Sequence, residues 1–208
     1  MIEISQEIYE KMLKKQEKLD TNQCYILAVY GMFRTVKLLE RVSKDEYFSK
    51  LEAFVNFLET NSREIANNSL GDMEKLQEMI EFLEANAELV ENYPESDDVM
   101  LQAILGGCYE IFEEWYNFLN LILYSYNDDD KESMVSYFTL PIRFLDNYLA
   151  NLYYEQYSTK DLQKEINEHK LMLSEIARIN EDIKFIEEYT HDSYMKKVEK
   201  YITTNILL

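Results

Sequence analysis

Hydrophobic positions recur every three to four residues along most of this chain, which is the period of an amphipathic α-helix. Polar stretches interrupt the pattern and separate one predicted helix from the next. The pattern predicts main helices over about residues 5–19, 22–42, 44–60, 72–91, 97–126, 131–157 and 158–186, with a short last helix over about 193–202. We therefore expect an all-α protein, a single multi-helix bundle of about seven helices.

The composition agrees with this pattern. Four glycines and two prolines among 208 residues leave little material for hairpin turns, phosphate loops or flexible linkers. A chain of this length can bury a substantial core without disulfides or a structural metal, so we expect one domain over residues 1–208. Cys24 and Cys108 lie in strongly apolar helical segments, where free cysteine behaves as a small hydrophobic residue. Both are predicted to be buried, reduced thiols.

Pro141 lies inside the helix predicted over residues 131–157. Proline lacks a backbone N–H and its ring crowds the preceding turn, so it disturbs a helix interior. The sequence therefore predicts either a kink or a break near Thr139, and it does not choose between them.

Residues 100–126, "MLQAILGGCYEIFEEWYNFLNLILYSY", have the length of a membrane span. Glutamates near its middle are unfavourable in a bilayer, and positively charged flanks are missing. We interpret the segment as the most buried helix of the bundle, with one polar edge. Gly106 and Gly107 would weaken a helix, so we expect another helix to approach closely there. A bound ligand and a break at the glycines are the alternatives.

Acidic residues greatly outnumber basic ones. Forty Asp and Glu against 21 Lys and Arg give a formal net charge of −19, which argues against nucleic acid or an anionic membrane surface as a partner. The first residues, "MIEISQEIYEKMLKK", lack a basic stretch followed by an apolar one, so they do not resemble a secretory signal. The expected compartment is the cytoplasm.

The acidic charge is concentrated in the middle of the chain. Residues 76–130 contain 14 Asp and Glu and no Lys or Arg, and glutamates recur every three or four residues on one face of the helix predicted over 72–91. The candidate partner-binding residues are Glu74, Glu78, Glu81, Glu84, Glu88, Glu91, Glu110, Glu113, Glu114, Asp128, Asp129 and Asp130. One interpretation is a solvated face that keeps the protein soluble. The other is a negative surface that attracts and selects a basic protein partner.

The sequence offers little for catalysis or metal binding. Glu188 and His191 have the spacing of half a di-iron carboxylate site, but the second half is missing. We find neither a nucleophile motif of the G-x-S-x-G type nor a glycine-rich phosphate loop. We therefore expect no enzymatic activity, no catalytic residue, no metal and no cofactor.

The order of several segments resembles the YjaG-like bacterial family, whose function is unknown. The segments that carry the resemblance are "CYILAVYGMFRTVKLLERV", "YFSKLEAFVNFLE", "ELVENYPESDD", "AILGGCYEIFEEW" and the terminal "NILL". The resemblance implies a small, acidic, cytoplasmic, all-helical protein, and the family has no established catalytic residues to carry over. Where family members have a Glu-Arg pair and a proline, this chain reads "VYGMFR", so Arg34 is only loosely comparable.

These observations lead to one expected function and two alternatives. The expected function is a non-enzymatic interaction module that binds and neutralises a basic partner such as a toxin, as immunity proteins and antitoxins do. The first alternative is an intracellular homodimer with a structural or regulatory role and an aromatic interface formed by Tyr148, Tyr153, Tyr154 and Tyr157. The second alternative is a metal-carboxylate enzyme built on a helical bundle.

Overall fold

Ten α-helices form most of the chain in the computed structural model, which describes residues 4–95 and 97–203. The helices are α1 (Ile4–Gln16), α2 (Thr21–Ser43), α3 (Leu51–Thr60), α4 (Ser62–Ala66), α5 (Met73–Glu91), α6 (Val99–Leu123), α7 (Lys131–Tyr153), α8 (Thr159–Glu168), α9 (Lys170–Phe185) and α10 (His191–Thr203). Short 3-10 helices cover Glu46–Phe48 and Asp128–Asp130. The described residues contain no β-strand, which confirms the all-α class. The terminal "NILL" segment lies outside the described residues.

The expected number of about seven helices is too low. The helix predicted over 158–186 is divided at His169, whose φ of −67° and ψ of 138° are extended. The imidazole of His169 accepts a hydrogen bond from the backbone N–H of Leu171 at 3.2 Å and so caps α9. A five-residue helix, Ser62–Ala66, also forms in the polar stretch between the helices predicted over 44–60 and 72–91. One extended residue leaves the hydrophobic period almost unchanged, so the pattern does not reveal such a division.

Helix α2 lies at the centre of the fold and packs against α3, α6, α7 and α10. In α2, 17 of 23 residues are buried, against 11 of 25 in α6. The prediction that α6 is the most buried helix is therefore wrong. Each of the ten α-helices contributes at least one buried side chain to the same hydrophobic cluster.

Gly31 of α2 lies directly against the backbone of α7. A Cβ atom on Gly31 would lie 2.5 Å from the Cα of Phe138 and even closer to the carbonyl oxygen of Tyr137. Pro141 lacks the N–H that would bond to the Tyr137 carbonyl in a regular helix. Helix α7 nevertheless continues through Pro141, so the predicted alternative of a break near Thr139 is wrong.

Helix α6 packs between α5 and α7. It is continuous through Gly106 and Gly107, so the helix does not break there. A Cβ atom on Gly107 would lie 2.8 Å from the Phe144 ring of α7, which confirms the predicted close approach of another helix. The indole N–H of Trp115 donates to the Thr35 hydroxyl of α2 at 2.8 Å. No helix in the described part of the chain has both the length and the apolar character needed to cross a membrane.

Candidate functional site

The glutamates of α5 form one acidic face, which we call the acidic ridge. Its members are Glu74, Glu78, Glu81, Glu84, Glu88 and Glu91, and all are exposed. On the opposite face Leu76, Ile80 and Leu83 are at most 3% exposed, where α5 packs against α6. The Asp72 carboxylate accepts from the backbone N–H of Lys75 at 3.0 Å and fixes the start of the helix. Helix packing therefore directs the ridge toward solvent.

The ridge carboxylates have no cationic partner within residues 4–95 and 97–203. Glu81 accepts a hydrogen bond from the Gln77 side chain at 3.2 Å, which leaves its charge in place. Like charges three or four residues apart on a helix repel by about 0.2–0.5 kcal/mol per pair. The ridge is thus a row of negative charges that form no ion pair with a lysine or arginine among the described residues.

The three glutamates of α6 do not all face the same way. Glu110 and Glu114 both bind Arg143 of α7; Nη1 of Arg143 donates to Glu110, and Nη2 donates to Glu114 at 2.7 Å. Glu113 is exposed on the side that faces α5. Neighbouring helical residues point about 100° apart, so Glu113 and Glu114 lie on different sides of the helix. Only Glu113 is brought next to the acidic ridge.

Arg143 lies in a polar cleft of about 380 Å³ between α1, α6, α7 and α8. Burial raises the pKa of Glu110 above its ordinary value; Arg143 opposes this shift and Glu114 adds to it. A carboxyl group with a raised pKa in a cleft is a feature of many catalytic sites. Here, however, Nη2 of Arg143 also donates to the Ser136 hydroxyl at 2.9 Å. Both terminal nitrogens of the guanidinium are thus engaged in bonds that hold α7 against α6.

The three aspartates at 128–130 form a helix start and do not extend the ridge. Asp128 accepts from the Thr21 hydroxyl and pairs with Lys131 at 3.2 Å. The hydrogen bonds from Thr21 and Lys131 lower the pKa of Asp128. The Asp130 carboxylate accepts from the backbone N–H of Asn127 at 2.7 Å. Asp129 is exposed beside them, so the triplet mainly organises the turn that leads into α7.

An apolar groove runs between α5 and α6 beside the ridge, and we call it the α5–α6 groove. It has a volume of about 220 Å³ and is lined by Leu83, Glu84, Ala87, Tyr109, Phe112, Glu113 and Tyr116. Tyr109 is 45% exposed, so one aromatic wall is open to solvent. Glu84 of α5 and Glu113 of α6 both line the groove. The groove is the place where predicted site residues from two helices come together.

A buried ionic cluster, which the sequence analysis did not predict, links α2, α9 and α10. Arg34 is 1% exposed, and its Nε lies 3.0 Å from Glu175 while its Nη1 lies 2.6 Å from Asp182. Lys197 approaches Asp182 to 2.5 Å, and the Tyr201 hydroxyl donates to the same carboxylate at 2.6 Å. We call these five residues the Arg34 cluster.

The electrostatics of the Arg34 cluster are those of a closed structural site. Burial alone would lower the pKa of Arg34, but the charges of Glu175 and Asp182 outweigh burial and hold that pKa above its ordinary value. The guanidinium lies 5.5 Å from the centre of the Phe138 ring and 5.0 Å from that of Tyr201. These rings cover the ion pairs, so the cluster connects helices and presents no open binding site.

The two cysteines are buried free thiols, as predicted. Burial raises the pKa of Cys24 to about 11 and that of Cys108 to about 12. Because the thiolate is the reactive form, neither residue has the character of a catalytic nucleophile.

The residues considered for a metal site do not lie on one helix. Glu188 precedes α10 and His191 begins it, so their spacing of three residues does not place them one helical turn apart. Among the described residues, no group of three or more His, Cys, Asp or Glu side chains is arranged to hold a metal ion.

The tyrosines considered for a homodimer interface do not share an exposed face. Tyr148 is 2% exposed and belongs to the core. Tyr153 packs in a tilted contact with His169, while Tyr154 and Tyr157 are 75% and 38% exposed. Two of the four are therefore well exposed.

No family model, curated protein or solved structure matches this chain. The resemblance to the YjaG-like family accordingly stays a prediction.

Proposed function

We propose that this chain is a non-enzymatic protein-interaction module whose acidic ridge binds a basic protein partner. The partner we favour is a toxin, which the chain would neutralise as an immunity protein or antitoxin does. One observation carries the proposal: the exposed face of α5 consists of regularly spaced carboxylates without a lysine or arginine partner among the described residues.

The ridge has the size and energetics of a docking face. From Glu74 to Glu91 it extends roughly 26 Å along the helix at 1.5 Å per residue. The repulsion among its charges destabilises the free protein, and cations of a partner would relieve that repulsion on binding. A surface of one sign also accelerates encounter with a partner of the opposite sign and disfavours acidic competitors.

Ion pairs within the chain support a contact surface smaller than the set of acidic residues predicted from the sequence. Glu113 adjoins the ridge across the α5–α6 groove and belongs to the surface. Glu110 and Glu114 share the single positive charge of Arg143, and Asp128 pairs with Lys131, so these three carboxylates already have cationic partners within the chain. The proposed contact surface is therefore the acidic ridge together with Glu113.

The proposal is tested by affinity capture from the source cell at low and high salt. The wild-type chain is expected to capture a protein with a basic surface, identified by mass spectrometry, and to lose it as salt rises. A variant with Glu81, Glu84 and Glu88 changed to Lys is expected to capture at least roughly tenfold less, because like charges then meet.

The matched control changes the same number of exposed glutamates to lysine on other parts of the surface. Glu155, Glu168 and Glu188 are exposed and form no ion pair with another described residue. Because net charge changes equally in both variants, capture that survives only in the control locates the interface on the ridge. Capture that is insensitive to salt, or equal loss in both variants, contradicts the proposal.

A further inference from the structure

We propose that the α5–α6 groove receives a single large apolar side chain of the basic partner, flanked in the partner's sequence by lysine or arginine. This inference rests on the proposed function, because it names the chemistry of the segment that the acidic surface recognises. It adds an apolar anchor at a defined position to an otherwise electrostatic surface.

The groove has the shape and lining of an anchor pocket. Leu83 and Ala87 of α5 form one wall, and Tyr109, Phe112 and Tyr116 of α6 form the other. The floor is closed, since Leu83 is 1% and Phe112 2% exposed, whereas Tyr109 at 45% stands open at the rim. Aromatic walls around a partly closed apolar recess are typical of the positions where interfaces concentrate their binding energy.

The volume of the groove favours one side chain over a small-molecule ligand. Pockets for small molecules usually measure about 300–1,000 Å³. The groove, at about 220 Å³, lies below that range. The larger cleft around Arg143 is lined by polar groups and intramolecular ion pairs, which makes it a poorer receptor for an apolar group.

The carboxylates beside the groove indicate which residues flank the apolar side chain in the partner. Glu84 and Glu113 stand on opposite sides of the groove, so a segment lying across it would place its flanking residues near a carboxylate on each side. A second copy of this chain carries the same acidic surface and a net charge of −19, so self-association here brings like charges together. Anionic lipids are disfavoured for the same reason. The favoured occupant is therefore a basic segment of another protein.

The probe is a pair of synthetic helical peptides of about 18 residues, a length that allows helix formation in water. Both carry lysines along one face. The first has tryptophan at the centre of that face, and the second has alanine there. Fluorescence anisotropy of labelled peptides, measured at low salt, reports the affinity of each for the whole protein. The wild type is expected to bind the tryptophan peptide roughly tenfold more tightly than the alanine peptide.

Substitutions in the groove distinguish the contribution of the apolar side chain to binding from that of the charges. Ala87→Trp fills the groove at constant charge and is expected to abolish the preference for tryptophan while the alanine peptide still binds. Ala177→Trp, at an exposed position of α9, is the matched control and should keep the preference. Tyr109→Ala removes an exposed wall with little risk to folding and should reduce the preference. Circular dichroism melts confirm that each variant is folded.

The outcomes distinguish this inference from the function on which it rests. Equal binding of both peptides to the wild type, with loss in the variant carrying Lys at 81, 84 and 88, overturns the anchor and leaves the proposed function standing. Peptide binding that is unchanged in the variant with those lysines, or no binding of either peptide to the wild type, overturns both the anchor and the proposed function. A peptide-free dimer in sedimentation velocity that Ala87→Trp dissociates would show that a second copy occupies the groove, which also overturns the inference.

Discussion

Arg34 lies between two carboxylates, Glu175 and Asp182, that are both 0% exposed. Desolvation of such charges is unfavourable, so the cluster as a whole contributes little net stability compared with well-packed apolar residues. Removing a single partner is different, because it leaves an uncompensated charge in the interior. Because Arg34 lies in the centre of α2, the packing of α2 against α9 and α10 depends on this one side chain.

We expect Arg34→Met to lower the free energy of unfolding by about 3–5 kcal/mol, since Glu175 and Asp182 lose the buried guanidinium between them and keep only Arg178 and Lys197 as cationic partners. Urea denaturation followed by circular dichroism measures the loss. The control is Arg63→Met, because Arg63 is 74% exposed and pairs with Glu199 on the surface. Surface pairs contribute about 0–1 kcal/mol, so the control should change stability little. Equal effects of the two substitutions would refute a special role for the buried cluster.

Among the helices, the packing of α2 on α7 depends on a glycine, which has no side chain. Gly31 allows the two backbones to meet beside the turn that Pro141 modifies. The atoms that a Cβ would meet there are backbone atoms of Tyr137 and Phe138, which cannot move aside as the end of a flexible side chain can. The separation of the two central helices is therefore set at this glycine.

Gly31→Ala is expected to destabilise the protein by about 1–3 kcal/mol or more, because overpacking outweighs the better helix propensity of alanine. Gly71→Ala is the matched control, since no heavy atom lies within 4 Å of its added Cβ. There the smaller entropy of the unfolded chain should leave stability unchanged or raise it by about 0.4–1 kcal/mol. Thermal unfolding of both variants measures the two changes in stability. If Gly31→Ala left the stability unchanged, α2 and α7 could move apart at no cost in stability, which would contradict the prediction.

At the scale of the whole molecule, negative charge is distributed unevenly. The chain has a net charge of −19. Arg34, Lys197 and Arg143 pair with carboxylates in or near the interior, whereas the carboxylates of the ridge are exposed to solvent. An unrelieved ridge lowers the stability of the free protein, as binding surfaces often do.

Replacing Glu81 with Lys should therefore stabilise the free protein by about 0.5–1 kcal/mol, or roughly 1–4 °C in Tm, since Glu78 and Glu84 lie three residues away on each side. The gain should shrink in 0.5 M salt, because surface charges are then screened. Glu181→Lys on α9 is the control of opposite sign, with Arg178 and Lys184 as its neighbours. A gain from both substitutions would indicate a general charge effect, not a property of the ridge.

Much of the candidate surface could be predicted from the sequence. The spacing of the α5 glutamates, opposite Leu76 and Ile80, is sufficient to place them on one exposed face. The glutamates of α6 could not be assigned in this way, because their environment depends on which neighbouring helix carries a cation. Arg143 is far away in the sequence, and it separates Glu110 and Glu114 from Glu113.

The sequence contains only a weak indication of the Arg34 cluster. Arg34 is the only charged residue between Asp20 and Lys37, on a segment that is apolar on all sides. An isolated charge in such a helix usually has a buried partner. Glu175 and Asp182 lie seven residues apart, about two helical turns, and so share a face of α9. Nothing local identifies which helix that face meets.

Patterns in the sequence are sufficient to predict the helical class, the approximate places where most helices begin and end, the free thiols of the cysteines and the exposed row of charges on α5. These properties depend on periodicity, composition and residues a few positions apart. The packing of the helices was needed to establish that α2 is the central helix, that α7 continues through Pro141 without a break, and that the acidic residues divide among a ridge, an ion-paired cleft and a helix start. Those features depend on contacts between residues far apart in the chain, which arise only when the helices pack.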